Sequence, residues 1–335
     1  MERCPIGGGG PVSLAKPYGR GMNPKFSVDP AVSQAWVAVA HGARMSSRIL
    51  QSVGDPVPRS KFAELNAIYP QEKASDWHCS YLGAALEHLM VWADIVAPLV
   101  FHPHQVVAHT FRPPHTLGRA ALEVASQAVW MTAGGTALEC ARRHLSLVRW
   151  DYAEHRKSVF GQEAKDGVDE RDATLVKRAS GVFTEGDLHP PNHYTVLRAA
   201  APVVSSNPDD LERIWPAASG SAHGRVWPAL SLQHVVPLRE YEPGQYRTIR
   251  IPDTDGMTEV LEVAERMTSY GVLRHADFCG ADLPVRIEEA RLWLTSVVPL
   301  REDADPVAVA RLRRRAPTVS GRPPSTTDGS PKEDS

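Results

Sequence analysis

Residues 117–159, LGRAALEVASQAVWMTAGGTALECARRHLSLVRWDYAEHRKSV, decide the fold. Leu117, Ala121, Val124, Ala128 and Met131 recur at helical spacing, and Leu122, Ala125 and Val129 widen that stripe until only a narrow polar strip is left. A helix apolar over most of its circumference belongs at the centre of a bundle. Gly134 and Gly135 stop it, and Thr136 is placed to cap a second helix. On that helix Leu138, Ala141, Leu145, Val148, Tyr152 and Val159 step by three, four or seven residues. Two antiparallel helices joined by a short loop follow.

Outward from this pair the same reading applies. Val32, Trp36, Val39 and Ala43 predict a helix over residues 31–53, followed by a polar, proline-punctuated connector to about Lys73. Leu82, Leu86, Leu89, Ala93 and Val96 predict a helix ending near Pro98, and Pro103, Pro113 and Pro114 make residues 101–114 irregular. The chain is charged from Phe160 to about Asp187, with an amphipathic helix ending at Gly181 and then a segment of Pro and His. Asn207, Pro208, Asp209 and Asp210 supply a cap, an N1 proline and first-turn acids for a helix that Pro216 should kink. Residues 234–241 and 245–251 alternate as a small hairpin, and helices are expected at 256–270 and 284–297. The expected fold is therefore all-α: a bundle of six to eight helices over residues 31–300 with a β-hairpin insert. Residues 1–30 and 301–335 are too poor in large apolar groups to offset their ordering entropy, so disordered ends are expected.

A chain of 335 residues buries a core without metals or disulfides, and Cys4, Cys79, Cys140 and Cys279 show no paired spacing. Reduced, mostly buried thiols are expected. The start lacks the basic and apolar segments of a secretory signal, and residues 82–101, the nearest approach to a membrane span, are interrupted by Glu87, His88, Asp94 and Pro98. A cytoplasmic protein without a membrane partner is the expectation. A formal charge of −2 excludes a surface that tracks duplex phosphates throughout, and Arg311, Arg313, Arg314 and Arg315 read as a solvated run in the tail. Arginine far outnumbers lysine, as in chains from GC-rich bacterial genomes. GxxxxGK[ST], strand-linked GxGxxG, GxSxG and HExxH are all missing, so no nucleotide or other cofactor is implied.

Candidate chemistry falls in three places. Arg119 and Glu123 lie one turn apart on the apolar central helix, where charges must be paired. On the next helix His144, Val148, Asp151 and His155 share a line, so Arg119, Glu123, His144 and Asp151 are expected to form a polar cluster in the bundle. Ser219 and His223, one turn apart ahead of Gly224, form the second group; a helix C-terminus favours protonated His223 and suits it to capping. The third is His102, His104, His109 and His115, imidazoles without a nearby acid in a stiff loop, for which no bound metal is expected.

Arg149 and His155 bracket Trp150 to Glu154. That spacing resembles the Arg, four to six residues, His signature of HEPN-type helical bundles, which include metal-independent ribonucleases of bacterial toxin and defence systems. The resemblance, over about residues 75–160, implies a homodimer acting on RNA, with His155 as general base and Arg149 stabilising charge at the scissile phosphate. The Ser219-x-x-x-His223-Gly224 pattern is similar to one in bacterial helical-bundle families whose role is not established. Two functions are expected in turn: a non-catalytic helical binding or regulatory protein, since no complete catalytic set is visible, and as the alternative a HEPN-like ribonuclease.

Overall fold

The computed structural model describes residues 27–100 and 109–299. Among these the chain forms eleven α-helices and one antiparallel hairpin. Asp29 accepts a hydrogen bond from the Ala31 amide and, with Pro30 in the first turn, starts α1 (Pro30–Ser52). Ser60 caps α2 (Lys61–Ile68), and α3 (Ala74–Val96) follows. The central helix α4 (Arg112–Thr132) begins earlier than its apolar stripe, because Pro113 and Pro114 occupy the first turn, where no amide hydrogen is needed. Thr136 caps α5 (Ala137–Ser158) through the Glu139 amide, as expected, and α6 (Gln162–Ala179) returns along it.

The Pro and His segment contains a helix that periodicity did not show, α7 (His193–Ala200), capped by Asn192. Asn207 caps α8 (Pro208–Ala222), which runs through Pro216, and α9 (Val226–Ser231) precedes the strands β1 (Gln233–Glu242) and β2 (Gln245–Pro252). Asp253 caps α10 (Thr254–Cys279), and α11 (Leu283–Val297) closes the described chain. The expected six to eight helices become eleven because α2, α7 and α9 are at most eight residues long, too short for a periodic signal. Likewise α10 continues past Tyr270 through Gly271, which reads as a stop. That glycine is there for packing: a Cβ on it would stand 2.6 Å from a Leu82 methyl.

Helices α1, α3, α4 and α10 form the body, with α4 against α3, α7, α8 and α10. Ala121, Leu122, Ala125, Ala128 and Val129 are wholly buried, so the stripe that placed α4 at the centre does so. Burial of each leucine-sized side chain stabilises by roughly 1.5–3 kcal/mol. Among the described residues no helix is long and apolar enough to cross a membrane. The two terminal segments expected to be disordered lie almost entirely outside the described residues.

Candidate functional site

The same spacing that buries one side of α5 leaves Leu147, Trp150, Asp151 and Glu154 as a stripe on another face. Facing it are Tyr81 of α3, Gln127 of α4 and His193 of α7, and together they line an open cleft. The Trp150 and His193 rings meet edge to face, centroids 4.5 Å apart, and His193 continues to Trp215 at 6.3 Å. The Trp215 indole donates to Glu123 Oε1 at 2.5 Å, and Glu123 accepts from Arg119 at 2.8 Å. Glu123 and Gln127 are one turn apart on α4, so the polar strip of the central helix runs toward the cleft.

Two acids mark the mouth. Loss of hydration pushes the Asp151 carboxyl up, with the Glu72 charge adding to this and His155 opposing it. A hydrogen bond from Lys157 holds Glu154 below its ordinary value. Burial, reinforced by Asp151, keeps the Tyr81 phenol protonated. Among the described residues no lysine or arginine lines the cleft.

Of the residues expected to cluster, Arg119, Glu123 and Asp151 belong to this region. His144 does not: two turns before Asp151 on the same line of α5 it is buried, its Nε2 2.8 Å from the Glu72 carbonyl oxygen. The Glu72 carboxylate accepts from Trp77 Nε1 and Tyr152 Oη, which ties α5 to the start of α3. Asp151 and His155 make no direct hydrogen bond; both are exposed, and the His155 ring instead lies 3.4 Å from the Arg171 guanidinium.

Arg149 and His155 are six positions apart, about 240° around a straight helix at 3.6 residues per turn. The Arg149 side chain is only 12% exposed and makes a two-pronged bond to Asp172 of α6 at 2.7 and 2.8 Å, with Glu185 at 3.6 Å. Its charge is already engaged within the fold.

The Ser219 to Gly224 pattern forms a helix stop. Gly224 takes φ +72°, the Gly224 amide donates to the Ser221 carbonyl, and the Arg225 amide reaches back to the Gly220 carbonyl at 2.8 Å. His223 is the exposed C-cap, and Gly220 is required because a Cβ there would stand 2.8 Å from Pro228 of α9.

His102 and His104 lie outside the described residues. His109 packs between Trp36 and Trp92, and His115 is buried against Phe111, where desolvation lowers it to about 4. Among the described residues no three His, Cys, Asp or Glu side chains are placed to hold a metal ion. Sequence reasoning missed His193, Tyr81 and Gln127, which reach the cleft from three other helices; the 147, 150, 151, 154 spacing was the available signal. Comparison with protein-family models, curated proteins and solved structures finds no match to the chain.

Proposed function

We propose that the chain is a non-catalytic helical binding protein whose ligand is an organic cation, an amine or guanidinium on a short aliphatic stem, held in the cleft between α3, α4, α5 and α7. The observation that carries this reading is the Trp150–His193 aromatic wall beside the Asp151 carboxylate, which has no ion-pair partner among the described residues, in a cleft that none of their lysines or arginines lines. An aromatic face attracts a cation by about 0.5–2 kcal/mol, more as water is excluded. A carboxylate that already bears the cost of lost hydration and of Glu72 gains from a neutralising partner. Gln127 and the Tyr81 phenol add directional polar groups. Binding is favoured over RNA cleavage because the Arg149 guanidinium is saturated by Asp172.

Isothermal titration of the full chain with agmatine and with spermidine tests this. Saturable binding of one of them is expected, lost with Trp150→Ala and weakened at least tenfold with Asp151→Asn. Absence of binding at millimolar concentration overturns the reading. So does RNA cleavage without added metal that Arg149→Ala and His155→Ala each abolish with circular dichroism unchanged.

A further inference from the structure

Three polar side chains reach the cleft from three helices, and none of them makes a side-chain hydrogen bond among the described residues: Tyr81 of α3, Gln127 of α4 and Asp151 of α5. Polar groups around them are matched. Tyr152 donates to Glu72, Arg149 donates to Asp172, and Glu123 accepts from both Arg119 and Trp215. Glu154, the other acid at the mouth, accepts from Lys157 at 2.6 Å. Asp151 is exposed at the opening, whereas Tyr81 and Gln127 are half-buried, and the Tyr81 ring meets Trp77 edge to face at 6.0 Å.

Water serves these groups in the free protein, and a ligand that displaces it must offer donors in the same places. The acceptors are the two Asp151 carboxylate oxygens, the Gln127 carbonyl oxygen and the Tyr81 hydroxyl oxygen. An ammonium ion is compact, strongly hydrated and has three donors around one nitrogen, so it cannot reach acceptors spread over three helices and loses much hydration on entry. A guanidinium is planar and more weakly hydrated, and it spreads five donors around its edge. Two parallel N–H groups fit a carboxylate, and its flat face stacks on an aromatic ring such as that of Trp150.

We propose, on the cation-binding reading above, that the cleft selects a guanidinium over an ammonium ion and that Gln127 and Tyr81 are the residues that determine this specificity. The guanidinium lies against the Trp150 indole, gives two N–H groups to the Asp151 carboxylate and turns others to the Gln127 carbonyl and the Tyr81 hydroxyl oxygen. Small free guanidines and the arginine side chains of polypeptides both carry this group.

Isothermal titration of the full chain at pH 7.5 with n-butylguanidine and n-pentylamine, monocations of similar length, isolates the head group. The guanidine should bind at least tenfold more tightly, since hydrogen bonds from a charged donor are worth about 1.5–3 kcal/mol each. Tyr81→Phe and Gln127→Met keep the shape of each side chain, and each should narrow that ratio at least threefold with unchanged circular dichroism. A merely structural role would lower both affinities together and leave the ratio where it was. Tighter binding of Nα-acetyl-arginine amide than of butylguanidine would assign the site to an arginine side chain, and weaker binding would assign it to a free guanidine. Equal affinity for the two monocations, or a ratio that neither substitution moves, overturns the guanidinium preference and leaves the cation-binding reading standing. Failure of both monocations and of agmatine to bind overturns the two together.

Discussion

The Nδ1 atoms of His78 and His275 stand 3.2 Å apart inside the helical body, their rings stacked 18° from parallel. Burial pushes the Cys279 thiol up to about 12, so it remains protonated and donates to His275 Nε2 at 3.5 Å. Neutral His275 then carries its proton on Nδ1 and donates it to His78, so Cys279, His275 and His78 form a directional chain linking α10 to α3. Removing one ring strands the other's nitrogen, whereas removing both does not. His78→Leu and His275→Leu are each expected to destabilise by about 1–3 kcal/mol, and the double variant by less than their sum. A urea-unfolding double-mutant cycle showing strict additivity would dispose of this coupling.

Acid should unfold the protein well above the carboxylate range. Desolvation, the leading cause at each site, lowers His115, His144 and His275 from 6.5 to about 4, and lowers His78 well below 6.5. A depressed histidine binds protons more weakly folded than unfolded. Its stabilising contribution is therefore complete above pH 6.5 and is lost as the pH falls from 6.5 to about 4. His115, His144 and His275 each account for about 3 kcal/mol across that window. Unfolding free energy measured by denaturant at pH 7, 6 and 5 should fall with increasing steepness; a flat profile would contradict the assignment of neutral buried rings.

Glu123 joins α4 to α8, since it accepts from both Arg119 and Trp215. The Arg119 and Glu123 side chains retain 21% and 13% exposure, so this pair is not fully dehydrated. Glu123→Ala is accordingly expected to cost about 1–3 kcal/mol, less than the roughly 3–5 kcal/mol of a wholly buried pair. Glu123→Gln, which can still accept from the indole, should recover part of the loss in a thermal melt.

Arg149→Ala should act on stability. It leaves Asp172 facing Glu185 without the guanidinium between them, at a cost of about 1–2 kcal/mol given the partial exposure of both acids. His155→Ala, at an exposed position, should change the melting temperature little. Equal destabilisation by the two substitutions would argue against this difference in their surroundings.

Cation binding in the cleft should weaken on acidification, and at a higher pH than an ordinary aspartate would require. Asp151 is raised by lost hydration, with His155 opposing and Glu72 adding, so it becomes neutral earlier as pH falls. Agmatine affinity compared at pH 7.5 and 5 should decline more steeply for the wild type than for Asp151→Asn, which keeps His193 and Glu154 in the cleft.

The sequence by itself determined the helical class, the central place of α4, the antiparallel α4–α5 pair, the hairpin and most helix starts. Each of these is a local matter: an apolar stripe at helical spacing, a capping Thr136 or Asn207, a Pro at N1. The ion pair of Arg119 with Glu123 was legible for the same reason, since i and i+4 are neighbours on any helix. Short elements such as α7 escaped because eight residues carry too little periodicity, whereas the Ser219 to Gly224 pattern, read as a helix end with a capping His223, has the backbone bonds of a helix stop. What only the tertiary structure decided is which helix faces meet. Sequence places His144 and Asp151 on one line of α5, yet the neighbours of α5 bury His144 against Glu72 and open Asp151 to the cleft with His193. His78 and His275, 197 positions apart, share a hydrogen bond only because α3 and α10 pack side by side. Helix spacing fixes directions around one axis, and contacts between distant helices depend on the summed packing of the whole core, which no local pattern contains.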